Sequence, residues 1–138
     1  SNQGNKAKFK LASRLANKLQ RSGLRALVVT DDETATQQLD DVMWTFSDAS
    51  FLAHDRLNEH PPVSKIQIGA HNTVSPAVLE REYDVLINVA NEVPMFNHHF
   101  VRIAEIVEAN DDARAAGRAR YKCYKTEGFE LRTHDTEL

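Results

Sequence analysis

Three short, strand-like segments rich in apolar residues, separated by stretches of helical spacing, constrain this chain more than any other feature. The runs are Leu24–Val29, Val63–Ile68 and Asp84–Val89. Strands that are buried on both faces read as continuous apolar runs, whereas half-exposed strands alternate. Between and around them the spacing becomes helical. Phe9, Ala12, Leu15, Ala16 and Leu19 recur on one side of Asn5–Ser22, with lysines and arginines on the other. Gly23 suits the residue just past that helix's end. Thr30-Asp31-Asp32-Glu33 supplies cap candidates and early acids for a second helix through Leu39, Val42, Met43 and Phe46. Pro61-Pro62 marks a loop and Pro94 breaks the chain. Phe100–Val107 reads equally as a strand or as a helix start. A helix over Asp111–Glu127 closes at Gly128, and Phe129–Arg132 forms a last strand. This alternation predicts a three-layer α/β/α domain with a mostly parallel sheet. Such domains normally open with a strand, and this sequence opens with a helix.

At 138 residues the chain has the length of one domain, 1–138, large enough for a core without metal or disulfide staples. Its 41% hydrophobic and 27% charged residues fit a soluble globular protein and exclude collagenous and disordered classes. No apolar run approaches the roughly 18 residues that a membrane-spanning helix needs. Cys123 is the single cysteine, so neither an internal disulfide nor a multi-thiolate zinc site can form, and a reducing cytoplasm is the simplest home.

No catalytic constellation emerges. The five glycines are scattered at positions 4, 23, 69, 117 and 128, and neither glycine-rich phosphate-binding motif occurs. Asp31-Asp32 at the first strand-to-helix junction would repel a phosphate, and acids at a helix start are commoner than metal ligands. His98 and His99 are adjacent and point apart on any regular element. His54, His60, His71 and His134 have no mutual one-turn spacing. Cys123 falls beside Ala116 and Ala119, which reads as a small core residue despite Lys122 and Lys125 nearby. Glu80 and Glu82 near Tyr83 read as a solvated helix end. No catalytic residue, metal site or cofactor is expected, and no small-molecule substrate.

The net charge of −3 hides a segregation. Residues 1–30 hold seven bases and no acid, residues 31–112 four bases against sixteen acids, and residues 113–138 six bases against four acids. In the Asp111–Glu127 segment, at about 100° per residue, Arg114, Arg118, Tyr121, Lys122 and Lys125 fall in one sector about 100° wide. No acid separates Arg114 from Lys125, so the cations repel one another without one-turn relief. A tyrosine ring among guanidinium and ammonium groups makes a shelf where an apolar ring can rest beside a carboxylate. The matching ligand is an acidic peptide with a terminal aromatic and a free carboxylate. A solvated face and a phosphate backbone are the alternatives.

Two blocks resemble a known family. Leu39-Asp40-Asp41-Val42-Met43-Trp44 with Ser50-Phe51-Leu52-Ala53-His54, and Ala119-Arg120-Tyr121-Lys122-Cys123-Tyr124-Lys125 continued by Gly128-Phe129-Glu130-Leu131, are similar to segments of the chi subunit of bacterial DNA polymerase III. Their order, with the Asp84–Val89 strand between, fits nearly the whole chain. The family carries an apolar strand ahead of its first helix, and Gly4-Asn5 resembles the segment immediately downstream of that strand. The resemblance therefore implies that the first strand, about ten residues, is absent from this sequence.

The resemblance further implies a non-catalytic accessory subunit of the clamp-loader assembly. Such subunits bind the acidic carboxy-terminal tail of single-stranded-DNA-binding protein on one face and the psi subunit on another. By position, the tail site falls on Arg118, Tyr121 and Lys122, with Arg114 where the family has a lysine. These residues and Lys125 form the stripe already singled out. The psi surface falls on Trp44 and Phe51. Read alone, Trp44 after an amphipathic run suggests core; the resemblance implies partial exposure instead. Contact with nucleic acid is expected to be indirect. The rival reading is direct single-strand binding by the basic first helix (Lys6, Lys10, Arg14, Lys18, Arg21) together with the last.

Overall fold

The computed structural model describes residues 2–46, 52–58, 63–92, 94, 96, 99, 100, 102–107, 115, 118 and 130–135. Its elements, in order, are α1 (Asn2–Arg21), β1 (Ala26–Thr30), α2 (Glu33–Thr45), β2 (His54–Arg56), β3 (Ile66–Ala70), a 3-10 turn (His71–Thr73), α3 (Pro76–Leu79), β4 (Val85–Asn88), β5 (Arg102–Val107) and β6 (Glu130–Asp135). The strands form one six-stranded sheet in the order β2-β3-β1-β4-β5-β6, and every neighbouring pair is parallel. The expected α/β architecture is the one found.

The apolar runs are strands for the reason their composition suggests. All five residues of β1 are buried, flanked by β3 and β4 with covered faces above and below. On one face Ala26, Val28, Ile66, Ile68, Val85, Ile87, Ala104 and Ile106 pack against Phe9, Ala12 and Ala16 of α1 and Leu39 and Met43 of α2. On the other, Leu27, Val29, Leu86 and Ile103 meet Leu57, Val78, Phe96 and Phe100. Among the described residues no helix is long and apolar enough to cross a membrane.

Local signals set the boundaries. Gly23 sits at φ +79°, and Leu24 N donates to Leu19 O while Gly23 N donates to Gln20 O, the paired bonds of a Schellman ending. Asp32 caps α2, its Oδ1 accepting from Ala35 N at 2.8 Å. Ser75 caps the single turn of α3, with Pro76 in its first turn. Glu80 and Glu82 lie at that helix's end, as expected, and Glu82 takes a left-handed φ of 58° in the turn that leads to β4.

Several boundaries differ from the sequence reading. The strand expected at Val63–Ile68 begins at Ile66, because Asp55 Oδ2 accepts from Val63 N (2.9 Å) and Ser64 N (2.6 Å) and folds that segment into a turn. Val63 is left 84% exposed. Phe100–Val107 resolves into a strand, starting at Arg102. The last strand runs to Asp135 rather than Arg132. Of the Asp111–Glu127 helix, Ala115 and Arg118 are helical and the rest lies outside the described residues.

The second face also buries polar groups. Gln67, on β3, is fully buried, and its Oε1 accepts from Arg81 Nη1 at 2.8 Å and from the Tyr83 hydroxyl. Burial pushes the Tyr83 phenol above its ordinary value of 10.0, against the opposing influence of Arg81 and Arg25. Folding thus favours the protonated phenol, and the unfolded chain releases that proton first. The resulting stability is intact below pH 10 and is lost as pH rises above it. Urea midpoints measured from pH 8 upward are expected to fall beyond pH 10 more steeply in the native chain than in Tyr83→Phe; parallel curves would remove Tyr83 as the cause. At Gly69 an added Cβ would lie 2.4 Å from Leu57 Cδ1 and 2.8 Å from Leu57 Cγ. Gly69→Ala is expected to cost about 1–3 kcal/mol of unfolding free energy, the range for overpacking a filled core; an unchanged denaturation midpoint would contradict it.

Candidate interaction surface

The two halves of the first sequence block meet in space. Asp40 and Trp44 lie one turn apart on α2 and so share a face, and β2 brings His54 to that face. His54 Nε2 is 2.6 Å from Asp40 Oδ1, and Nδ1 is 2.8 Å from Leu52 O. The imidazole is buried, with both nitrogens facing oxygen atoms, while Asp40 is partly exposed. The Trp44 ring lies over it, centroids 4.7 Å apart and planes tilted by 49°. Trp44 remains 53% exposed in the last turn of α2, against the core reading that the residue invites on its own. Nothing in the spacing of the histidines singled out His54. The usable signal was the recurrence of Asp40, Trp44 and His54 in the two resembling segments.

Of the other expected site residues, Arg118 is exposed on a helical segment in the chain between β5 and β6. Phe51, Arg114, Tyr121, Lys122 and Lys125 lie outside the described residues, as does Cys123. The exposed cations that the structure describes most fully are those of α1. Lys6, Arg14, Lys18 and Arg21 are exposed and Lys10 is partly exposed, on the side opposite Phe9, Ala12 and Ala16.

At the place where a parallel sheet of this kind usually binds ligands, two loops of the chain are hydrogen-bonded to each other. The chain leaves β1 toward β2 and β3 on one side and later returns to β4 on the other, so a crevice would open beyond the carboxyl ends of β1 and β4. There Asp31 accepts from Asn91 N (2.8 Å) and Asn91 Nδ2 (3.0 Å), tying the two loops together. Behind it the fully buried Asn88 donates to both oxygens of the fully buried Glu105. Carboxylates thus stand where a phosphate would have to approach. Asp32 is committed to its cap. Among the described residues no three His, Cys, Asp or Glu side chains gather in a way that could hold a metal ion. A shallow cleft between α2 and β3 is lined by Glu33, Thr36, Arg56 and Gly69, and its one cation is already paired with Glu33 and Gln37.

These features define a parallel α/β domain with Trp44 and a row of cations exposed on helix surfaces and two loops tied across its crevice. Residues 3–132 match the family model for the DNA polymerase III chi subunit, HolC. The chain is 30% identical over 128 residues to DNA polymerase III subunit chi of Pseudomonas aeruginosa, covering 93% of this chain and 86% of that protein. It is 30% identical over 129 residues to the subunit of the same name from Haemophilus influenzae (91% and 85%) and 28% identical over 124 residues to that of Escherichia coli (89% and 82%). The chain belongs to the DNA polymerase III chi subunit family.

The Asp40–His54 contact is expected to matter for stability independently of any partner. Removing either side chain strips a hydrogen-bonding atom from a buried imidazole or its acceptor, at about 1–3 kcal/mol. Asp40→Ala and His54→Ala combined in a double-mutant cycle are expected to show coupling of about 1 kcal/mol. Because Trp44 is the single tryptophan, its emission is expected to shift to longer wavelength in His54→Ala. Strict additivity together with unchanged emission would show the contact to be inert.

Proposed function

We propose that this chain is a non-catalytic accessory subunit of the replicative DNA polymerase III clamp-loader assembly, folded as one domain and working in the cytoplasm. In this reading it bridges the acidic carboxy-terminal tail of single-stranded-DNA-binding protein to the psi subunit. Support comes from family membership across residues 3–132 and from three relatives each named DNA polymerase III subunit chi. The single observation that carries the bridging role is the half-exposed Trp44, held over His54 on the outside of α2. A large apolar ring kept partly in water is the kind of group that a partner surface covers.

The reading assigns two surfaces. Trp44, with Phe51, is the psi-facing pair. Arg118, exposed on its helical segment, joins Arg114, Tyr121, Lys122 and Lys125 in the tail site. There a guanidinium holds a carboxylate bidentately, the lysines supply field and further donors, and the tyrosine ring receives the tail's aromatic side chain. Such exposed ion pairs give affinity of about micromolar order that weakens as salt screens them. Nothing in this arrangement calls for nucleotide turnover, and the carboxylates at the crevice oppose it.

Isothermal titration with a short acidic peptide ending in phenylalanine tests the tail site. Arg118→Ala is expected to cost about 1.5–3 kcal/mol of binding, the range for a lost charged hydrogen bond, and Arg118→Lys to restore only part of it. Equal binding by Arg118→Ala at low salt would reduce the stripe to a solvated face. Trp44→Ala is expected to abolish co-purification of psi while leaving the thermal midpoint within a few degrees. A stability loss of about 3–5 kcal/mol, that of emptying a core aromatic, would instead make Trp44 a packing residue.

A further inference from the structure

We infer that the solvent face of α1 is a separate docking surface, one that tracks the phosphate backbone of single-stranded nucleic acid without reading its bases. At about 100° per residue, Lys6, Lys10, Arg14, Lys18 and Arg21 fall within about 120° of helix circumference. They succeed one another at nearly every turn over an axial length of about 22 Å. No acid occurs anywhere in α1 to interrupt the row. Each cation therefore has a like charge above or below it, an arrangement that local pairing does not relieve.

The described acids of the adjacent helix do not neutralise it either. The acids of α2, the helix that packs against α1, are engaged elsewhere: Glu33 with Arg56, Asp40 with His54, Asp41 with Gln37, and Asp32 in the cap. Among the described residues none of the five cations is paired with an acid. In a chain of net negative charge, a row this regular is a localised field.

The chemistry of the occupant is set by what the row lacks. No aromatic side chain stands on the exposed face, so neither base stacking nor a peptide's ring has a seat. The apolar face is already used: Phe9, Ala12 and Ala16 are buried, and Leu15 and Leu19 pack on the same cluster, leaving nothing to insert into a membrane. What remains is a straight, evenly charged line. It fits a flexible polymer carrying one negative charge per unit, and a single strand can lie along it where a duplex would spiral away. This surface is independent of the tail and psi sites and stands or falls separately from them.

Fluorescence anisotropy of a labelled oligothymidylate of about thirty nucleotides with the intact chain provides the test. Weak binding is expected at about 50 mM salt, with log K falling against log salt at a slope near −3, as about four or five neutralised phosphates require. The triple variant Lys10→Gln, Arg14→Gln, Lys18→Gln is expected to flatten that slope by about 2 and to lower affinity at least tenfold, with the circular dichroism spectrum and thermal midpoint unchanged. Arg118→Ala is expected to bind the strand as the native chain does. The inference is overturned if the native chain fails to bind at low salt, if the triple variant binds equally well, or if Arg118→Ala abolishes binding. It is also overturned if polyglutamate, a duplex of equal length or anionic vesicles bind as tightly as the single strand.

Discussion

The burial of β1 on both faces and both edges is the constraint on which the rest depends. A strand flanked by β3 and β4, with α1 and α2 above and α3, Phe96 and Phe100 below, has all five of its side chains buried. Backbone groups there are satisfied by parallel ladders, and apolar area leaves water on both sides, at roughly 25 cal/mol per Å². The cost is topological. Every parallel neighbour requires a crossover, and the crossovers carry the exposed residues. Exposed side chains are displaced onto helix exteriors and loop ends, where Trp44, Arg118 and the α1 cations stand.

The elements legible in the sequence were those whose signal is local. The β1 and β4 runs are dominated by apolar residues, and Gly23 marks a left-handed ending that favours glycine. Less legible were elements created by tertiary contact. The strand β2 is three polar residues, His54-Asp55-Arg56, and each is occupied: the histidine under Trp44, the aspartate on the Val63–Ser64 turn, the arginine on Glu33 and Gln37. Neither propensity nor periodicity announces a strand whose burial comes from partners distant in sequence. The Val63 boundary failed for the same reason. A β-branched residue read as the start of a strand became the exposed end of a turn because a carboxylate eight residues earlier took its N–H.

The candidate site was legible in composition and only partly in geometry. Charge segregation marked the first and last segments as cationic, and helical arithmetic placed the α1 cations opposite its apolar stripe, where the structure has them. The position of Trp44 was less open to derivation. An aromatic at the end of an amphipathic helix has two stable homes, and here the indole sits beside the buried His54 ring and remains half exposed.

The crevice tied by Asp31 and Asn91 has a mechanical consequence. Domains of this architecture commonly flex about that opening when they close on a ligand, and such bending lets one site inform another. Here the two loops are pinned across it, and α1 and α2 share a single apolar layer on one face of an unbroken sheet. The Asp31–Asn91 contacts stiffen that opening, and a ligand can couple two surfaces only through states that differ in their affinity for it. In the bridging role proposed above, such a body would link its partners by proximity, raising local concentration in the manner of a short, stiff tether.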